Sequence, residues 1–513
     1  HRPECGHGVV FGSGRQPADR RSRTRQDTVD CSIGSAASDR GEHSRVRRRL
    51  AAALLAGPAL LALPRGPARA GDALHPALPA LPRLQPRRWT LANGLQVLAL
   101  PDERRPGAGV VAVQLWYRVG GKDDPPGRSG FAHLFEHMMF KRTRHLPDEA
   151  FDRLTEDVGG HNNAFTAEDT TAYLNLVPSA HLERLLWAEA ERMGGLQVDA
   201  DNLRSERAVV QAEFGQRVLD DPYGPLFHGM APAFWQVHPY RRPVIGRIDD
   251  LDAATLEDVQ RFHRSYYRPD NAVLIVAGDF ELERLPALVE RHFGPLRAPG
   301  TPVPRVTVVE PPRQIDQRLV LTAAQVPAPA VALMWSGPPA RHPDAPVWRL
   351  VAALLGDGDS SRLVAALVER DRLAQGAGFS ADLLADAGML NAWAIAAGPS
   401  VQGAEPRLDP RLVRLEEALS REIHRLATGP LPAAEIDKAR TRLLTEALSA
   451  RQTAEGRALA AGWAEMLSGD AAAADLQLQR LATVQADEVR RLLREQLLMQ
   501  PRVTLHYIQR GRR

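Results

Sequence analysis

Cysteine is nearly missing from this chain of 513 residues: there are two, Cys5 and Cys31, both close to its start. Everything beyond residue 31 therefore lacks a thiol nucleophile, a disulfide framework and any cysteine-held metal. Aromatic residues make up only 5%, and no stretch of about twenty apolar residues runs free of proline and charge. An integral membrane protein is not expected. An excess of basic residues is also missing from most of the chain. The formal net charge of +3 arises at one end, where residues 1–70 hold 13 Lys+Arg against 6 Asp+Glu and leave 52 against 56 for the rest. A mildly acidic body removes the support for nucleic acid as a partner.

What is present is 44% hydrophobic and 25% charged residues, a globular composition, over a length that calls for more than one core. Residues 1–45 are rich in Arg, Ser and Gly without apolar periodicity and are expected to be disordered or mistranslated, with Val46 as the true start. From Val46, "VRRRLAAALLAGPALLALPRGPARAG" has three arginines, an apolar stretch from Leu50 to Leu63, and small residues at Ala68 and Ala70. These are the parts of a secretory signal peptide, spanning 46–70 with cleavage after Ala70, so a periplasmic or secreted location is expected. A buried helix fits less well, because Pro58 and Pro64 interrupt it. The mature chain would then contain no cysteine.

Residues 71–86 form a Pro-rich leader. Strands are expected in "RRWTLANGLQVLAL", with a tight turn at Asn93-Gly94, and in "GVVAVQLWYRVGG" and "NAVLIVAGDF". Helices fit 148–157, 182–193 and 201–219. The Pro-rich segment 297–314 is the expected linker between a domain at 87–296 and a second at 315–513. Strands and helices recur there in the same order, which points to an internal duplication.

The stretch "GFAHLFEHMMF" places His133, Glu136 and His137 in an apolar helix. Positions i and i+4 share a helix face, so both imidazoles can address one ion, while Glu136 borders that face. Three unpartnered polar groups buried there would each cost about 2–7 kcal/mol, which metal ligation removes. Neutral imidazoles suit zinc, and a catalytic zinc needs a third protein ligand. The best source is "SERAVVQAEFGQR", where Glu206 and Glu213 lie seven residues apart on one helix face. One could ligate and the other support, and a solvated surface helix is the competing explanation.

His-x-x-Glu-His is the inverted zincin motif. Together with "LANGLQVLAL", "GGHNNAFTAEDTTAY", "ERAVVQAE", "HPYRRPVIG", "YYRPDNAVLIVAGDF" and "LLGDGDSSRLVAALVERDRLA", it makes residues 86–510 resemble the pitrilysin family of metallopeptidases, which includes insulysin and the mitochondrial processing peptidases. The resemblance implies an α+β fold of two homologous domains, each a mainly antiparallel sheet packed with helices, forming half of a clamshell. It implies one zinc per chain on His133, His137 and Glu213, Glu136 as general base, and Glu206 as a supporting carboxylate. It also implies an exposed edge strand at 162–166, whose Asn163, Ala164 and Phe165 would hold an extended peptide.

The resemblance thus implies a zinc endopeptidase for short or unfolded peptides, and the signal-peptide pattern adds the expectation that it is exported. The second half would carry no metal, since the helix from Val347 has no histidine or glutamate of the right kind. Many self-sufficient relatives place an Arg and a Tyr near the strand "GMLNAWAIAAGPS", where this chain has Asn391 and Trp393. A homologous partner subunit is therefore expected, as a heterodimer rather than a homodimer. The alternative is a catalytically inactive peptide-binding or assembly subunit, against which the intact motif argues.

Overall fold

The computed structural model describes residues 83–102, 109–148, 150–400 and 409–510. The expected signal peptide at 46–70 and the segment before it lie outside the described residues. Sheet one contains β1 (Arg87–Thr90), β2 (Gln96–Pro101), β3 (Val110–Tyr117), β4 (His161–Thr166), β5 (Thr171–Pro178) and β6 (Ala272–Gly278). Sheet two contains β7 (Gln317–Ala323), β8 (Ala330–Gly337), β9 (Ala374–Leu383), β10 (Gly388–Ala396) and β11 (Val503–Gln509).

The first half carries α1 (Phe131–Met138), α2 (Ala150–Glu156), α3 (Leu182–Gly195), α4 (Ala200–Phe214), α5 (Gly224–Phe234), α6 (Ile248–Asp252), α7 (Leu256–Tyr266) and α8 (Leu285–Phe293). The second carries α9 (Ala345–Leu355), α10 (Pro410–Thr428), α11 (Ala433–Ala450), α12 (Ala454–Ser468), α13 (Ala473–Thr483) and α14 (Ala486–Leu493). Residues 297–314 contain neither helix nor strand. No helix among the described residues is long and apolar enough to cross a membrane.

The strand orders are β1-β2-β6-β3-β5-β4 and β7-β11-β8-β10-β9. Leaving β1 aside, each sheet takes its five strands in the chain order first, fifth, second, fourth, third. Each has one parallel pair, β2 with β6 and β7 with β11, and antiparallel pairs elsewhere. The fold is therefore α+β with two mixed sheets of one topology. The helix α9 lies between β8 and β9 as α1 lies between β3 and β4.

Both sheets are buried on two faces, which period-two alternation records. In β3, Val111, Val113, Leu115 and Tyr117 face the core under α1, α3 and α7, whereas Ala112 and Trp116 face a second core. The cover of that second core comes from the other half: Ala454, Ala458 and Ala461 of α12 lie on the sheet-one face. Reciprocally, Leu226, Met230 and Phe234 of α5 lie against Ala330, Ala332 and Met334 of sheet two. Each half thus lends a helix to the other. The fit of α12 is close, and a Cβ added at Gly462 would run into the Trp116 indole. Gly462→Val should therefore lower the unfolding free energy by about 1–3 kcal/mol through overpacking. Urea denaturation measures it, and an unchanged midpoint would mean that α12 stands off from sheet one.

Candidate metal centre

The helix α1 divides its residues between two tasks. Phe131, Leu134, Phe135 and Met138 follow the i, i+3, i+4, i+7 stripe and enter the sheet-one core, with Phe135 packed on Tyr267 at 4.5 Å between ring centroids. The other face holds His133 and His137. The start of α1 is fixed from below: Asp124 accepts hydrogen bonds from the Gly130 and Ala132 amides at 2.7 and 2.8 Å. Gly130 has φ +90°, and a Cβ there would meet Ile245 O, so glycine is required. Asp124 lies in "DDPPGRSG", which reads in sequence as a chain break. It stands six residues before Gly130 with two prolines between, so the helix-start signal, read from the residue just ahead of the apolar run, does not mark it.

The carboxylates come from α4, whose first turn is capped by Asp199 accepting from the Asp201 and Asn202 amides, both at 3.0 Å. The expected helix to residue 219 is α-helical only to Phe214, and Gly215–Leu219 takes π-type bonding. This wider turn carries Arg217, whose Nε lies 3.0 Å from Glu213 Oε1. Glu213 Oε2 then faces His133 Nε2 at 3.5 Å and His137 Nε2 at 3.4 Å. One candidate ligand atom from each of His133, His137 and Glu213 lies within 4.8 Å of the other two, the three-residue grouping of this kind among the described residues.

Glu206 stands one step behind. Its Oε2 is 3.7 Å from His137 Nδ1, the nitrogen turned away from Glu213, and its Oε1 is held by Lys141 Nζ at 2.7 Å and the Ser205 hydroxyl at 3.1 Å. A carboxylate on the outer nitrogen of an imidazole is how metal-binding histidines are oriented. Glu136, 3% exposed, accepts from Thr166 Oγ1 at 2.6 Å. Lys141, Thr166 and Arg217 belong to this site and were not among the residues expected from sequence. Arg217 stands four residues after Glu213, a helical pair that spacing could have found, whereas Lys141 and Thr166 act on residues of other elements and carry no such mark.

The strand β4 is an edge of sheet one and pairs with β5 alone among the described strands. Its alternation separates the residues expected to meet a peptide. Ala164 is buried in the core beneath α1, whereas Phe165 turns to the opposite face and stacks on Trp463 of α12 with centroids 5.1 Å apart. Asn163 is half-buried, and its Oδ1 accepts from the Ala164 amide at 2.8 Å. The Phe165 side chain is therefore a packing element, and this strand could offer a peptide its backbone rather than that ring.

Two family models match the chain: "Insulinase (Peptidase family M16)" over residues 102–246 and "Peptidase M16 inactive domain" over residues 253–443. The chain belongs to this metallopeptidase family. Its relatives include a protein of Helicobacter pylori named zinc protease PqqE, 33% identical over 354 residues that span 68% of this chain and 76% of the relative. A protein of Schizosaccharomyces pombe named probable mitochondrial-processing peptidase subunit beta is 27% identical over 295 residues, 55% of this chain and 61% of the relative. The crystal structure of a protease from Helicobacter pylori superposes with a TM-score of 0.76 at 28% identity, covering 82% of this chain and 99% of that one. The first half of the periplasmic protease PqqL from Escherichia coli shares the fold at 17% identity and a TM-score of 0.64, over 84% and 93% of the two chains.

The electrostatics separate the two imidazoles. Burial pushes the His133 pKa down, which keeps its lone pair available. Burial also opposes charge on His137, but hydrogen bonds to Glu206 and Glu213 outweigh it and raise the pKa to about 9. Both glutamates, desolvated yet paired with His137, sit below their ordinary value. In the chelator-stripped protein the raised His137 pKa contributes stability in full below about 6.5 and loses it as pH rises through about 9. The lowered glutamate values contribute above about 4.5 and lose it as pH falls. Thermal unfolding of stripped protein should therefore show a falling midpoint between pH 6.5 and 9 that His137→Gln flattens. An equal slope in the variant would mean that other groups set it.

Proposed function

We propose that the chain is a zinc metalloendopeptidase that hydrolyses short or unfolded peptides, exported to the periplasm or secreted, and the catalytic subunit of a heterodimer. The observation that carries this reading is the approach of His133 Nε2 and His137 Nε2 to a single oxygen of Glu213, with Glu136 on the same helix. The donor set fits zinc: two imidazoles and a carboxylate leave a tetrahedral position open. Zinc held there would supply Lewis-acid chemistry, acidifying water toward a pKa of about 7 and polarising a peptide carbonyl.

The chain's own residues account for the rest. Glu136 takes the proton from the attacking water and returns it to the leaving amine. Glu206 orients His137 through Nδ1, and Arg217 keeps Glu213 turned toward both histidines. The backbone edge of β4 could receive an extended peptide whatever its sequence, which favours flexible substrates. A partner subunit is supported by the state of β10: Asn391 is buried and spends its amide on Ser380 and Asp382 of the adjacent strand. It is not available to grip a substrate.

Zinc content and cleavage of a quenched peptide library test the reading, with Glu136→Gln as control. Stoichiometric zinc, retained in the variant, and a loss of turnover of about a thousandfold or more are expected. Zinc without cleavage by the isolated chain points to the required partner. A chain that holds no zinc sinks the peptidase in favour of an inactive peptide-binding subunit.

A further inference from the structure

A general base works only in the right orientation, and a buried hydroxyl donates to Glu136. Thr166 is 2% exposed, and its Oγ1 lies 2.6 Å from Glu136 Oε2. Hydrogen counting fixes the direction of this bond. Thr171 Oγ1 lies 3.5 Å from Thr166 Oγ1 but gives its single hydrogen to Val119 O at 2.9 Å. Thr171 can then only accept from Thr166, and a carboxylate likewise only accepts, so Thr166 is the donor and its hydrogen goes to the shorter contact, Glu136.

The donor is itself pinned. Thr166 ends β4 opposite Thr171, and the Ala167 amide donates to Thr170 O at 2.8 Å. The Gly121 and Lys122 amides donate to Ala167 O and Glu168 O, both at 3.0 Å. Asp169 then accepts from the Tyr240 hydroxyl at 2.6 Å and from the Ala385 amide of the β9–β10 turn at 2.9 Å. A turn of the second half thus anchors the strand end that carries Thr166.

We infer that Thr166 is a positioning residue for the general-base step. Its hydroxyl sets the rotation of the Glu136 carboxylate, so that the base meets the attacking water in one orientation. The inference rests on the peptidase reading above. Hydrogen bonds to a carboxylate are among the strong ones, and the Thr166 hydroxyl spends its hydrogen on Glu136.

The test compares Thr166→Val, which keeps the branched shape and removes the donor, with Thr166→Ser, which keeps the donor. Both are assayed as zinc-loaded protein with any partner subunit attached. We expect Val to lower kcat about ten- to hundredfold with KM within about twofold, and Ser to recover most of the loss. Thermal midpoints of the chelator-stripped chain give a second measure: Thr166→Val and Glu136→Gln should shift it by less together than the sum of the two alone. A Val variant with native kcat, equal losses in Val and Ser, or additive thermal shifts would each overturn the role. Native protein without Glu136-dependent cleavage overturns the peptidase reading and this role with it, whereas active native protein with an unaffected Val variant overturns the role alone.

Discussion

The structure turns on how α1 keeps polar groups in an apolar setting. His133 and Glu136 are 5% and 3% exposed, on a helix whose other face enters the main core of the first half. Burial without partners would cost more than one such helix contributes, so the neighbours must answer the charge. The helix α4 answers with Glu213 and Glu206, and the end of β4 answers with Thr166. Each of these is fixed in turn by Arg217, by Lys141 or by the anchored turn at Asp169. The position of α4 against α1 is therefore set by electrostatic demand as much as by apolar packing.

The duplicated topology shows what happens when that demand is absent. In the second half, α9 occupies the place of α1 between the second and third strands of its sheet. Its Val347, Trp348, Leu350, Val351, Leu354 and Leu355 are all buried, and it needs no carboxylate helix opposite it. A single framework thus tolerates a polar or an apolar helix in this place. The polar version depends on contacts from outside its own strand-helix-strand unit.

Much of this was legible in the sequence, and for identifiable reasons. Three polar residues inside "FAHLFEHMMF" contradict the apolar pattern around them, and that contradiction locates the site. The strands β3 and β6 announce themselves by β-branched and aromatic runs. Glu213 and Glu206 did not stand out on spacing alone, since seven residues on a helix also describe a solvated face, and family resemblance was needed to choose between them. The covering helix α12 went unread because an alanine-rich segment carries little amphipathic contrast. Its small face is intelligible only once Ala112, Trp116 and Ala277 of sheet one are seen beneath it. The edge position of β4 was legible, but the place of the Phe165 ring, stacked on Trp463 of α12, was not, because its partner lies in the other half of the chain.

The exchanged helices also explain how a half without metal ligands supports the one that has them. Sheet one has a covered second face only because α12 crosses from the second half, and sheet two depends on α5 in the same way. The loop after β4 meets the β9–β10 turn through Asp169, Tyr240, Lys122 and Asp386, a small ionic lock across the two halves. Lys122 is partly desolvated there, yet its two carboxylate partners raise its pKa, so the lock stays charged through the neutral range. Such a lock is directional where apolar packing is not, and it acts on the few residues that separate Asp169 from Thr166. The second half thereby anchors the loop that follows Thr166 without contributing a ligand to the centre, while its own helix α9 keeps one charged residue, Arg349, and no histidine or glutamate.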